Sequence, residues 1–281
     1  MRKLSGEKIK NNYRPSDTKM NQNFVSIDPG ARIGKNVKID PFTMIHDDVV
    51  IGDDTWVGSN VTIFPGARIG NNCKIFPGAV ISAVPQDLKF TGEITTVEIG
   101  NNTTIREFVT INRGTKALGK TIIGDNNLLM AYVHIAHDCI VGNNCILANG
   151  VTLAGHILID DFAIIGGLSA VHQFVQVGSH VMISGGSLVR KDVPPFVKAA
   201  HEPLSYVGIN SVGLRRRGFS QEKIAEIQEI YRLLFVKGFS NSHAVEVIEK
   251  DIQPSEEKNQ ILSFIRKSTR GIMKGYTQEE E

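Results

Sequence analysis

An aliphatic residue recurs at every sixth position over most of the chain, and no other feature of the sequence restricts its fold so tightly. Read in sixes from Ile27, the series runs Ile33, Ile39, Ile45, Ile51, Val57, Ile63, Ile69 and Ile75. It resumes at Ile99, Ile105 and Ile111, then runs from Ile123 to Ile183 without a break. Amphipathic helices repeat near 3.6 residues and half-buried strands near 2, so a strict six belongs to neither element alone. The fifth position of each hexad is small or β-branched, as at Ala31, Val37, Thr43 and Val49, and the third and fourth favour Gly, Asn and Asp. This suits a coil of three short strands joined at three corners. The aliphatic residue points into a narrow prism, and the corners take residues whose turn conformations cost little. Eighteen residues then complete a coil, and successive coils pair at about 4.8 Å. The pattern predicts a mainly β fold, a left-handed parallel β-helix of hexapeptide repeats.

Two stretches leave the pattern, near 82–98 and near 113–122, and are expected to be extruded loops. Long loops on a compact solenoid are where function concentrates. After Val189 the repeat stops, and Pro194-Pro195 marks a boundary. Beyond it Ser220 predicts the N-cap of a helix over Gln221–Val236, with Ile224, Ile227, Ile230, Tyr231 and Leu234 on one face. Two more helices are expected over Ser242–Lys250 and Glu256–Lys267. The chain is thus divided into a disordered extension (1–22), a β-helix (23–193) and a C-terminal α-helical domain (194–281) whose end frays from Thr277.

Six of the first nineteen residues are Lys or Arg, with no apolar core to make a secretory signal. That stretch reads as a disordered extension, or as sequence upstream of a start at Met20. The net charge of +2 is too small to argue for nucleic acid. No apolar run approaches the roughly 18–20 residues that span a bilayer. Cys73, Cys139 and Cys145 have no metal or redox spacing. All three occupy the small fifth position of the hexad, as buried thiols of a reducing compartment would.

The eighteen-residue period converts sequence offsets into positions on the prism. His137 is third in the hexad from Ile135; one coil on lies Gly155 with His156 beside it, and a further coil on Gln173 with His172 before it. These corner residues should converge on one edge, with His134 nearby. Core packing gives no reason to gather imidazoles at an exposed corner. A neutral imidazole suits general-base work on an alcohol at pH 7. Asp138 is placed to fix the His137 tautomer, and the Gly155 N–H, unobstructed by a side chain, to face an oxyanion. The rival chemistry is a zinc site on the stacked histidines, but His134 and His137 flank a corner and no supporting shell is visible; no metal or other cofactor is expected. His46, His180, His201 and His243 lack the alignment and read as structural. Arg215-Arg216-Arg217, just past the repeat, could pair with phosphate. Gly167 and Gly185, eighteen apart at corners of a different face, would leave a groove for an extended alkyl chain.

Particular strings carry a resemblance beyond the repeat: Gln86-Asp87-Leu88-Lys89-Phe90, Asn112-Arg113-Gly114-Thr115, His134-Ile-Ala-His137-Asp138, Ala154-Gly155-His156, Val171-His172-Gln173-Phe174, Asp192-Val-Pro-Pro195 and Gly213-Leu-Arg-Arg-Arg-Gly-Phe219. From about Asn23 to Lys274 the chain resembles the UDP-N-acetylglucosamine 3-O-acyltransferase family of lipid A synthesis in Gram-negative bacteria. The resemblance implies a cytoplasmic homotrimer with active sites between subunits. There an (R)-3-hydroxyacyl chain passes from acyl carrier protein to the 3-hydroxyl of UDP-N-acetylglucosamine. It also implies His137 as general base, Asp138 as its orienting partner and Gly155 as oxyanion donor. Asp87, Lys89, His134, His156, His172 and Gln173 would position substrate, with Asn210, Arg216 and Arg217 near the nucleotide and its phosphates. Gly185 matches the position that limits acyl length, and glycine there implies a long chain. Two departures stand out: some members have histidine at Asn112 and glutamate at Val212. Open alternatives are a 3-amino sugar acceptor, the related N-acyltransferase (which has an additional N-terminal domain) and a non-enzymatic scaffold, which leaves the histidine column unexplained.

Overall fold

The computed structural model describes residues 24–275; the extension expected over 1–22 and the end expected to fray from Thr277 lie outside them. Each hexad contributes a strand of about two residues, such as His134–Ile135, followed by a turn. The hexad strands stack in parallel into three sheets, the faces of a left-handed β-helix. The first face holds nine strands, including Thr110–Asn112, His134–Ile135, Thr152–Leu153 and Ala170–Val171. The second holds eight, and the third is an eleven-stranded sheet. The inward aliphatics fill the prism: Ile63, Ile105, Ile135, Leu147, Leu153 and Ile165 are all fully buried. Each stabilises by about 1.5–3 kcal/mol relative to an exposed side chain. The three cysteines are buried with them, and burial pushes the thiols of Cys139 and Cys145 up to about 12.

Register shows what the two interruptions do. Strand partners lie 18 residues apart along most of the stack, as in Met44 with Thr62 and His134 with Thr152. They lie 30 apart across the first interruption (Val80 with Thr110) and 24 apart across the second (Thr110 with His134). The surplus is twelve residues and then six, whole hexads in both cases, which is why the aliphatic series resumes in phase. Both loops are shorter than expected, 84–95 and 113–119, because Thr96–Ile99 and Lys120–Ile123 form four-residue strands that pair with one another.

Turn geometry explains the fourth position. It takes a left-handed backbone in coil after coil, at Asn36, Asp54, Asn72, Asn102, Asn126, Asp138 and Asn144 among others. Bulky residues take it too, including Phe108, Tyr132, His156, Phe162, Leu168, Phe174 and His180. Such residues are strained there by about 1–3 kcal/mol. Several are compensated by stacking one coil on the next: Phe108 on Tyr132, His156 on Phe174, Phe162 on His180.

After Val189 the chain is less purely helical than expected. Val197–Ala200 extends the third sheet in parallel with Met182–Ile183, and Ser205–Ile209 adds an antiparallel strand. Short strands without hexad phase give no periodic signal. A short helix α1 (Ser211–Arg216) was not expected; α2 (Gln221–Phe235), α3 (Asn241–Asp251) and α4 (Glu256–Lys267) depart from expectation by at most one residue at an end. Ser220, Ser240 and Ser255 cap α2, α3 and α4. Together these elements close the prism: Phe196 and Tyr231 are buried, and the Tyr231 hydroxyl donates to the Pro195 carbonyl at 2.5 Å.

Candidate active site

The corner that follows the first face brings the expected groups together. His137 leaves the strand His134–Ile135 at the third hexad position, and its ring nitrogen Nδ1 lies 2.8 Å from Asp138 Oδ2. The Asp138 side chain has no exposed surface. Its Oδ1 accepts from the backbone N–H of Thr115 (3.0 Å) and of Leu118 (3.2 Å), and its Oδ2 also accepts from the Thr115 hydroxyl (2.6 Å). Burial alone would raise the Asp138 pKa, but these donors and His137 outweigh it and hold the carboxyl below its ordinary value. An ionised carboxylate only accepts, so Nδ1 of His137 is the donor and Nε2 carries the free lone pair of the neutral ring. Nε2 lies 4.0 Å from Asp87 Oδ2, on the first extruded loop, too far for a direct hydrogen bond.

One coil further, Gly155 sits against the same imidazole. A Cβ built on it would come 2.6 Å from His137 Cε1 and 2.8 Å from Nε2, so glycine is what gives the ring its place. The Gly155 N–H donates to no atom among the described residues, leaving it available to a bound oxygen. His156 meets His137 edge-on at 5.1 Å and stacks on Phe174 at 4.7 Å, and its Nε2 is 3.8 Å from Asp138 Oδ2. A base with a fixed tautomer, beside an unengaged N–H, is an arrangement for acyl transfer to an alcohol. For a divalent metal, the donor set that comes close is His137, Asp138 and His156, all within 4.8 Å of one another. His134 is not among them, and a metal there would displace Thr115 or His137 from Asp138 Oδ2.

The remaining expected residues are more dispersed. His134 points outward from the first face, hydrogen-bonded to the Thr110 hydroxyl at 2.7 Å, and burial lowers its pKa. Gln173 and His172 are exposed one coil above Gly155; His172 donates from Nδ1 to the Gln173 carbonyl. Lys89 is exposed, and its N–H closes a turn onto Asp87 Oδ1 at 3.0 Å. Gly167 and Gly185 share a different corner column, beside the exposed Leu168.

The nucleotide set lies elsewhere. Asn210 is buried: Oδ1 accepts from Gly213 N–H as the cap of α1, and Nδ2 donates to the His180 carbonyl. Arg217 lies over the Phe162 ring at 5.2 Å, with Nη1 buried and unpartnered, at a cavity of about 380 Å³ shared with His180, Phe219 and Gln260. Arg216 and Val212 are exposed, while Asn112 is buried, with Nδ2 donating to the Val84 carbonyl.

Sequence reasoning missed Thr115 and Leu118, which hold Asp138 from an aperiodic loop. It missed the Thr110–His134 bond because the second loop changes the offset to 24. Phe174 on His156 was within reach, since both are fourth in hexads eighteen apart.

Comparison with known proteins places these features in a family. Residues 192–273 match the second domain of UDP-N-acetylglucosamine O-acyltransferases, and 30–65, 48–83 and 120–155 match the bacterial transferase hexapeptide repeat. The acyl-[acyl-carrier-protein]–UDP-N-acetylglucosamine O-acyltransferase of Burkholderia orbicola is 46% identical over 195 residues, covering 68% of this chain and 74% of its own. The UDP-N-acetylglucosamine acyltransferase structure from Bacteroides fragilis is 52% identical with a TM-score of 0.88, covering 89% of this chain and 98% of that one. That from Francisella novicida is 38% identical with a TM-score of 0.87, covering 92% and 99%.

Proposed function

The chain belongs to the UDP-N-acetylglucosamine O-acyltransferase family, and on that footing we propose that it transfers an (R)-3-hydroxyacyl chain from acyl carrier protein to the 3-hydroxyl of UDP-N-acetylglucosamine, the first step of lipid A synthesis. The observation that carries the mechanism is the His137 imidazole, with Nδ1 committed to the buried Asp138 and Nε2 open beside Gly155. Nε2 takes the proton of the sugar 3-hydroxyl as its oxygen attacks the thioester carbonyl. The oxyanion that forms is received by the Gly155 N–H. Collapse breaks the carbon–sulfur bond, and the imidazolium returns the proton to the departing thiolate of the carrier protein. Asp138 keeps the tautomer and stabilises the transient imidazolium.

Asp87, Lys89, His134, His156, His172 and Gln173 position the two substrates, and Arg216 and Arg217 serve the nucleotide phosphates. Gly167 and Gly185 form the acyl groove. The enzyme works as a homotrimer in the cytoplasm; Leu88 and Ile94 on the first extruded loop, and Tyr132 and Leu168 at corners, stand exposed and suit burial against a second copy. Among the described residues no helix is long and apolar enough to cross a membrane.

His137→Ala tests the reading. Loss of a general base costs about 10²–10⁴ in kcat, measured with acyl carrier protein and UDP-N-acetylglucosamine. Transfer at the wild-type rate would overturn the mechanism. Light scattering should return about three times the 30.8 kDa chain mass.

A further inference from the structure

The second extruded loop encodes a role that neither the hexad repeat nor the general-base step requires. Residues 113–119 leave the stack between the strands Thr110–Asn112 and Lys120–Ile123, and the loop is built to turn inward. At its root a Cβ on Gly114 would lie 2.2 Å from Lys120 N, and Gly119 has a left-handed φ of 76°. Gly119 N–H donates to the Thr115 carbonyl at 2.7 Å, and Gly114 N–H ties the loop to the Thr96 carbonyl. The loop then covers the Asp138 side chain and delivers three donors to it, two from Thr115 and one from Leu118. The Thr115 hydroxyl also accepts from Ala117 N–H at 3.2 Å, which directs its own proton to Asp138 Oδ2.

We propose that Thr115 is a positioning residue of the acyl transfer: through its hydroxyl, the extruded loop holds the Asp138 carboxylate in place, and so fixes His137. It touches neither substrate. The inference rests on His137 being the base, which is tested separately above. With the hydroxyl bond in place, both carboxylate oxygens are fully occupied by four donors, and Oδ2 is confined to the Nδ1–H of His137. Without it, Oδ2 keeps only His137 as a donor, inside a pocket that excludes water, and the carboxyl can rotate away.

Thr115→Val keeps the shape and the two backbone donors while deleting the hydroxyl. The expected result is a fall in kcat of about 10–100-fold, the range for a hydrogen bond to a charged group, with KM for UDP-N-acetylglucosamine within about twofold. Thr115→Ser should restore most of kcat. In an Asp138→Ala background, Thr115→Val should cost less than about twofold more, because the interaction it serves is already gone. Wild-type kcat in Thr115→Val, or the same fold loss in both backgrounds, overturns the proposal. If Thr115→Val does not fold by circular dichroism, Thr115→Ala compared with Thr115→Ser carries the same expectation. Absence of transfer by the wild-type enzyme would instead refute the proposed function.

Discussion

Gly155 shows how little of a residue's role its identity announces. From the sequence it reads as an unobstructed N–H at a corner; in the fold its missing Cβ is the space that His137 occupies. Gly155→Ala should therefore leave the coil intact but displace the imidazole. A misplacement of about 1 Å costs on the order of 10²-fold in rate, so kcat should fall by about that factor in steady-state assays while the thermal midpoint moves little. The convergence of His137, Gly155 and His156 was legible because they sit in equivalent hexads of successive coils, with an uninterrupted eighteen-residue period. The acids and hydroxyls around them were less so. Asp138 is adjacent in sequence, but its burial comes from a loop whose path no periodicity reveals. Asn210, expected near nucleotide, also caps α1 and donates to the His180 carbonyl, contacts that its sequence position does not announce.

The elements owe their regularity to one corner more than the others. Gly52, Gly70, Gly100, Gly124 and Gly142 all occupy the second hexad position on the second face, where the next coil's Asn or Asp reaches across. Asn71 Oδ1 caps Asp53 N–H, Asp125 Oδ1 caps Asn101 N–H, and Asp161 Oδ1 caps Asn143 N–H, at 2.6–2.7 Å. A Cβ on Gly124 would lie 2.5 Å from Asn143 Oδ1 and 2.8 Å from the Gly142 carbonyl oxygen. Gly124→Ala should then destabilise by about 1–3 kcal/mol, the cost of forcing atoms into packed structure, seen as a lower urea midpoint. An aliphatic residue followed by glycine recurs along the sequence, as in Ile33-Gly34, Ile51-Gly52 and Ile69-Gly70. On the second face this glycine has a cause that lies across the coil, in a side chain eighteen or more residues away. The late strands Val197–Ala200 and Ser205–Ile209 were missed for a related reason: they are held by the sheet they join and carry no hexad phase.

At the scale of the whole molecule, the β-helix and the C-terminal segment meet at the aromatic column of Phe162, His180 and Phe196, edged by Phe219. Burial first, and then the Arg217 charge, lower the His180 pKa to about 4. The unfolded value is about 6.5. Between these limits the unfolded chain binds a proton that the native one does not, so this contribution is present above about pH 6.5 and is lost as pH falls toward 4. His180→Phe, which preserves the stack, should lose less stability than wild type across that window, measured by urea midpoints at each pH. Equal slopes for the two proteins would contradict this. The six-residue period by itself determined the prism, its eighteen-residue coil and the column that gathers the histidines, because one inward side chain per hexad leaves few other ways to bury the aliphatics. Only the tertiary structure decided that the extruded loops carry Asp87 toward His137 and close over Asp138. Loop conformation is set by the hydrogen bonds available where the loop lands, and those partners lie in coils that sequence order keeps apart.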